Sequence, residues 1–127
     1  MSYTITGEKK IVHLVHFLES QPRSAKLMDI GGTQHDLHVF QSLGFSDVVV
    51  SNNSEKELAE CHPHSMLLDI TKEPKKNMHG KYDIIVCMDV IEHLVNPDFA
   101  LANMNTLLKP NGFLVLSTPN LSNLFNR

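Results

Sequence analysis

An open α/β fold with a mainly parallel sheet is what this sequence predicts, and three observations predict it. Short apolar runs alternate with helical segments along the chain, the pattern of parallel strands joined by right-handed crossovers. Lys26-Leu-Met-Asp-Ile-Gly-Gly-Thr33 closes an apolar run with an acidic residue and paired glycines just before a helical pattern. That order puts a backbone turn at the carboxyl end of a strand, where open α/β sheets bind their ligands. The run 82–88 is apolar nearly throughout, as a strand covered on both faces should be.

The elements follow in order. Ile11, Leu14, Val15 and Leu18 recur at helical spacing and predict an amphipathic helix over 8–20, broken by Gln21-Pro22. The first predicted strand is 26–30. A helix over 34–43 follows, with Leu37 and Phe40 inward and Gly44 as a left-handed C-cap. Val48-Val-Val50 is β-branched and reads as the second strand, and Ser51 to Ser54 offers N-caps for a short helix over 55–60. Residues 65–70 read as the third strand, 71–80 as a loop or broken helix, and 82–88 as the fourth strand. Asn96 with Pro97 opens a helix to about residue 108. Lys109-Pro-Asn-Gly112 reads as a turn before the fifth strand, 113–117. The expected architecture is a Rossmann-like three-layer αβα sandwich with sheet order 3-2-1-4-5, counting predicted strands along the chain, and truncated after the fifth.

Length and composition set bounds. The 127 residues suit a single domain, the helix 8–20 preceding a core over 24–127. Net charge is −3 without a basic block, which argues against DNA as a partner because sequence-independent binding needs clustered Lys and Arg. Cys61 and Cys87 lie far apart without metal-ligand spacing and read as free, buried thiols of a reducing compartment. Neither a signal core nor a run near the roughly 18 apolar residues of a membrane span is present, so no membrane partner and a cytoplasmic location are expected. The pairs His13/His16 and His35/His38 and the run Cys61-His-Pro-His64 have no evident third ligand, and no metal is expected.

In a parallel sheet every strand-to-helix loop opens on the same edge. Residues 29–35, 51–54, 69–71 and 88–93 should therefore line one crevice. A dinucleotide site wants Gly-x-Gly-x-x-Gly, and Gly31-Gly32-Thr33-Gln34-His35-Asp36 fails that spacing; no Walker loop exists. An NAD-dependent oxidoreductase is disfavoured on that ground.

The ordered motifs resemble those of class I S-adenosylmethionine-dependent methyltransferases, in the small-molecule, type 11/12-like branch. Leu27-Met-Asp-Ile-Gly31 resembles the family's first motif. Ile85-Val-Cys-Met-Asp-Val-Ile-Glu-His-Leu94 resembles the fourth-strand motif, and 107–120 the helix–turn–strand-five segment. The resemblance covers about 24–127 and implies S-adenosylmethionine as cofactor and a small-molecule acceptor. It implies that Asp29 attracts the cofactor's ammonium while the amides of Gly31, Gly32 and Thr33 face its carboxylate. Asn52 or Asn53 would meet the ribose hydroxyls, Asp69 the adenine amino group, and Ile70 and Met88 the ring, with Asp89 completing the set. His93, beside Glu92 at the crevice mouth, is the candidate general base; in this family the pair often only fixes a loop. The reading Met88-Asp-Val-Ile91 departs from the Asp/Asn-Pro-Pro-aromatic motif of amino-methylating DNA enzymes.

Three residues depart from the family pattern. Thr33 and His35 stand at the second and third glycine positions, and Asn52 replaces an acid that would make a charge-assisted bond. They motivate an alternative, a non-catalytic nucleoside-binding or interaction module on the same sheet. The family also continues past strand five, so the chain reads as a fragment. The alternative, a minimal domain, would leave the fifth strand on an open edge at Phe113, Leu114 and Leu116 and invite a homo-oligomer.

Overall fold

The computed structural model describes residues 2–5 and 10–118. It contains six strands among the described residues: β1 (Ser2–Ile5), β2 (Leu27–Ile30), β3 (Val48–Asn52), β4 (Ser65–Leu67), β5 (Tyr82–Met88) and β6 (Leu108–Ser117). Their order across the sheet is β1-β6-β5-β2-β3-β4, and every neighbouring pair is parallel. The helices are α1 (Lys10–Glu19), α2 (Gln34–Ser42), α3 (Glu55–Leu58) and α4 (Pro97–Leu107). The expected order is thus present as β4-β3-β2-β5-β6, and the αβα layering with it.

Side chains alternate across the strands, as a period of two requires. Leu27, Val50, Ile84, Val86 and Val115 join Leu14, Leu18, Leu37 and Phe40 of α1 and α2 in one core. Met28, Ile30, Ile85, Cys87, Leu114 and Leu116 join Ala100, Met104 and Leu107 of α4 in the other. Both cysteines are free and buried. On α1 the buried positions are Leu14 and Leu18, while Ile11, expected inward, is 45% exposed.

Helix boundaries follow capping chemistry. The amide of Gly44 (φ 101°) donates to Gln41 O and that of Phe45 to Phe40 O, a Schellman closure of α2 that favours glycine. Asn96 accepts from the Phe99 amide at 3.1 Å, and Pro97 takes the first turn of α4.

Three expectations are corrected. The edge of the fifth predicted strand is not open: β1 pairs with it from Leu114 to Ser117, which removes the stated reason for a homo-oligomer there. The Lys109–Gly112 turn lies inside β6, which pairs with β5 at Tyr82↔Leu108 and again at Ile84↔Phe113 across a register shift. Asn111 there has φ 67°, a conformation Asn tolerates better than most residues. The third predicted strand stops at Leu67, because Asp69 draws the chain into a turn with the Lys72 amide on its carbonyl. No helix among the described residues is long and apolar enough to cross a membrane.

Candidate functional site

With all strands parallel, β2, β3, β4 and β5 end on one edge. The four predicted loops lie along it. Asp29 is held there inside β2, paired with Val50 on one side and Val86 on the other. It is 2% exposed, and its Oδ2 has no hydrogen-bond partner among the described residues. Burial first, then the neighbouring Asp36 carboxylate, hold the Asp29 pKa well above the ordinary carboxylate range. A buried acceptor left in that state is costly unless something later pairs with it.

The glycine turn is shaped around that carboxyl. Gly31 has φ 74°, and a methyl group on it would overlap Val90. A methyl group on Gly32 would overlap Asp29 Oδ2 and Val50. The pair is required sterically, and Thr33, in extended backbone at φ −136°, strains nothing.

The expectation of open amides in this turn is corrected. Gly31 and Gly32 both donate to Ser51 O, at 2.8 and 3.1 Å, and Thr33 donates to Asp36 Oδ2 at 3.0 Å. Asn52 Nδ2 donates to Gly32 O at 3.0 Å, and its Oδ1 accepts from the Ser54 amide, so it braces the turn against the start of α3. Asn53 is exposed beside it, and His35 lies on the exposed surface of α2. Asp36 was not singled out by the sequence. The available signal is Thr33-x-x-Asp36, an N-cap residue followed by an acid at the third helical position.

Asp69 follows β4. Its Oδ1 accepts from the Thr71 hydroxyl at 2.5 Å and the Thr71 amide at 3.0 Å, bonds that hold its pKa below the usual range and keep it an acceptor at neutral pH. Asn103 of α4 donates to Ile70 O and Lys72 O and ties this loop to the helix. Ile70 itself is 6% exposed and sits in the core beneath α4, whereas Met88 is half-buried against the opposite core. The two residues expected to flank one ring thus pack on opposite faces of the sheet.

Asp89 ends β5 at φ 57°. Its amide donates to Ser117 O at 3.1 Å, Ser117 Oγ donates to Asp89 Oδ1 at 3.2 Å, and Lys10 of α1 forms an ion pair with Asp89 Oδ2. Its side chain is therefore engaged by its neighbours. His93 closes a 3-10 turn over Ile91–His93. Its side chain is 77% exposed, with Nε2 3.6 Å from Glu92 Oε1. Among the described residues no three His, Cys, Asp or Glu side chains gather into a group able to hold a metal ion.

A profile for a family described as a methyltransferase domain matches residues 3–126. The chain belongs to that family. The ubiquinone biosynthesis O-methyltransferase of Photobacterium profundum is 29% identical over 103 residues, covering 75% of this chain and 44% of that protein. The methyltransferase domain spans about half the length, or less, of the curated relatives it matches. Two solved structures share its fold. The trans-methyltransferase CalH, in complex with SAH, superposes with a TM-score of 0.66 at 20% identity, over 81% of this chain and 34% of that one. The [4+2]-cyclase SpnF superposes with a TM-score of 0.64 at 20% identity, over 84% and 43%.

Proposed function

We propose that this methyltransferase domain binds S-adenosylmethionine along the shared strand edge and serves methyl transfer to a small-molecule acceptor. One observation carries the reading. Asp29 leaves a buried carboxyl oxygen unpaired beside a turn that only glycine can form, which is a site built for a hydrogen-bonding cation. An ammonium group meets that need, and no phosphate does. Around it, ionised Asp69 is an acceptor suited to an exocyclic amine, and Asn53 and Asn52 line the stretch between them for vicinal hydroxyls. Bound S-adenosylmethionine supplies an already activated methyl group, so what the chain contributes is alignment of the acceptor.

The relatives are named as O-methyltransferases, which supports an oxygen acceptor. A hydroxyl must lose its proton on reaction, and exposed His93, at the mouth of the crevice, is the base we assign to it. Substitution His93→Ala is then expected to lower turnover about 100-fold with little change in cofactor affinity.

Calorimetric titration with S-adenosylhomocysteine tests the binding half. Saturable heat with a dissociation constant below the millimolar range is expected; no heat at millimolar ligand contradicts it. A second reading, a nucleoside-binding module without methyl transfer, is favoured by the internal pairing of the turn amides. Binding without methyl incorporation into any acceptor would support it.

A further inference from the structure

The amide donors of the Gly31–Thr33 turn are all engaged, one of them by a side-chain carboxylate of this same chain. Asp36 Oδ2 accepts from the Thr33 amide at 3.0 Å, and the same carboxyl faces Asp29. Asp29 Oδ2, sealed beneath Gly32 and nine-tenths or more buried, is left without a partner. The titratable groups near Asp29 are Asp36 from α2, the buried thiol of Cys61 in the same core layer and, on the opposite face of the sheet, the thiol of Cys87 on β5; none is a cation.

We propose that Asp36 is a built-in competitor for an amino-acid end at this site: its carboxylate occupies the Thr33 amide and faces Asp29, and an incoming amino acid is admitted only as Asp36 swings away. This rests on the cofactor reading above and adds to it a residue that controls admission. The exchange balances. The Thr33 amide passes from one carboxylate to another, and Asp29 accepts from an ammonium where its own carboxyl had held a proton beside Asp36. That proton leaves to solvent, so binding releases protons and strengthens as pH rises from the ordinary carboxylate range towards the elevated Asp29 value.

The test uses the full chain and its Asp36→Asn and Asp36→Ala variants, titrated with S-adenosylhomocysteine and with methylthioadenosine, which keeps the nucleoside but has no amino-acid end. Thermal melts confirm that each variant folds; Asp36→Asn retains an acceptor for the Thr33 amide and guards against loss of α2. Asp36→Ala is expected to bind S-adenosylhomocysteine about fivefold more tightly, the worth of roughly one net hydrogen bond. Methylthioadenosine affinity should not change. The pH at which S-adenosylhomocysteine affinity levels off should fall in both variants, a shift that a merely structural helix cap would not produce. Unchanged or weaker S-adenosylhomocysteine binding in both variants, or equal tightening of both ligands, overturns the competitor role while leaving the cofactor reading intact. Absence of binding in the wild-type chain and both variants overturns the two together.

Discussion

Asp29 is where stability and binding pull against each other. Its folded-state pKa lies above its unfolded value, so the stability it lends is fully present below the ordinary carboxylate range. That stability is lost as pH rises through the elevated folded-state value, because the native state then gives up a proton it had held more tightly than the unfolded chain. Asp29→Asn removes the ionisation. The variant is expected to melt at a higher temperature than wild type at the alkaline end of this window, with a flatter dependence on pH. Each kcal/mol regained is worth roughly 4 °C in a chain of this size. It should also lose S-adenosylhomocysteine binding. Calorimetric melts across pH 4 to 9 check the first part, and a variant no more stable than wild type at the alkaline end would contradict it. Gly32→Ala drives a methyl group into the same carboxyl and should cost about 3 kcal/mol. The position of Asp29 in a strand just before a glycine turn was legible in the sequence because an acid before paired glycines is a local pattern. Its proximity to Asp36 was not. The two are seven positions apart, in a strand and a helix, and only the sharp turn at Gly31 folds one carboxyl back upon the other.

Among the elements, the loop after β4 depends most on a distant residue. Asn103 of α4 supplies two hydrogen bonds to backbone carbonyls of that loop, at 2.9 Å to Ile70 O and 3.1 Å to Lys72 O. Asn103→Ala leaves both buried or half-buried carbonyls without this donor and should cost about 1–3 kcal/mol. Amide exchange at Lys72, whose N–H rests on Asp69 O, should accelerate beyond the global change. Equal acceleration everywhere would show that Asn103 supports α4 and not the loop. The helices were legible to within a residue or two where a cap marks the end, as at Gly44 and Asn96. Strand limits were less so. Lys109-Pro-Asn-Gly112 has the composition of a free turn, yet β5 pairs on both sides of it, and pairing across a register shift leaves no local trace. Ser2 to Ile5 is too short a run to announce a strand, although its β-branched and aromatic content suits one.

In the molecule as a whole, the parallel sheet does two jobs with the same strands. Alternate residues of β5 feed separate cores, Ile84 and Val86 towards α1 and α2, Ile85 and Cys87 towards α4. Ile84→Ala and Ile85→Ala should therefore each cost about 2–5 kcal/mol, although the residues are adjacent and point in opposite directions. Denaturant unfolding of the two variants checks this; a small loss from either would mean that one face of β5 is not packed. The same parallel sense brings the ends of β2, β3, β4 and β5 to one edge, so residues from 29 to 93 share a rim. That convergence was legible from the alternation of strands and helices alone, while the filling of the turn amides by Ser51 and Asp36 depended on coordinates.

Amide chemical-shift mapping during titration with S-adenosylhomocysteine tests the convergence most directly, since it reads every loop at once. The shared rim predicts coordinated shifts at Gly31 to Thr33, Asn52 and Asn53, Asp69 to Thr71 and Met88 to Asp89, all saturating at one ligand concentration. Shifts confined to a single one of these loops, or clustered at the opposite edge around Gln21 and Lys109, would contradict it.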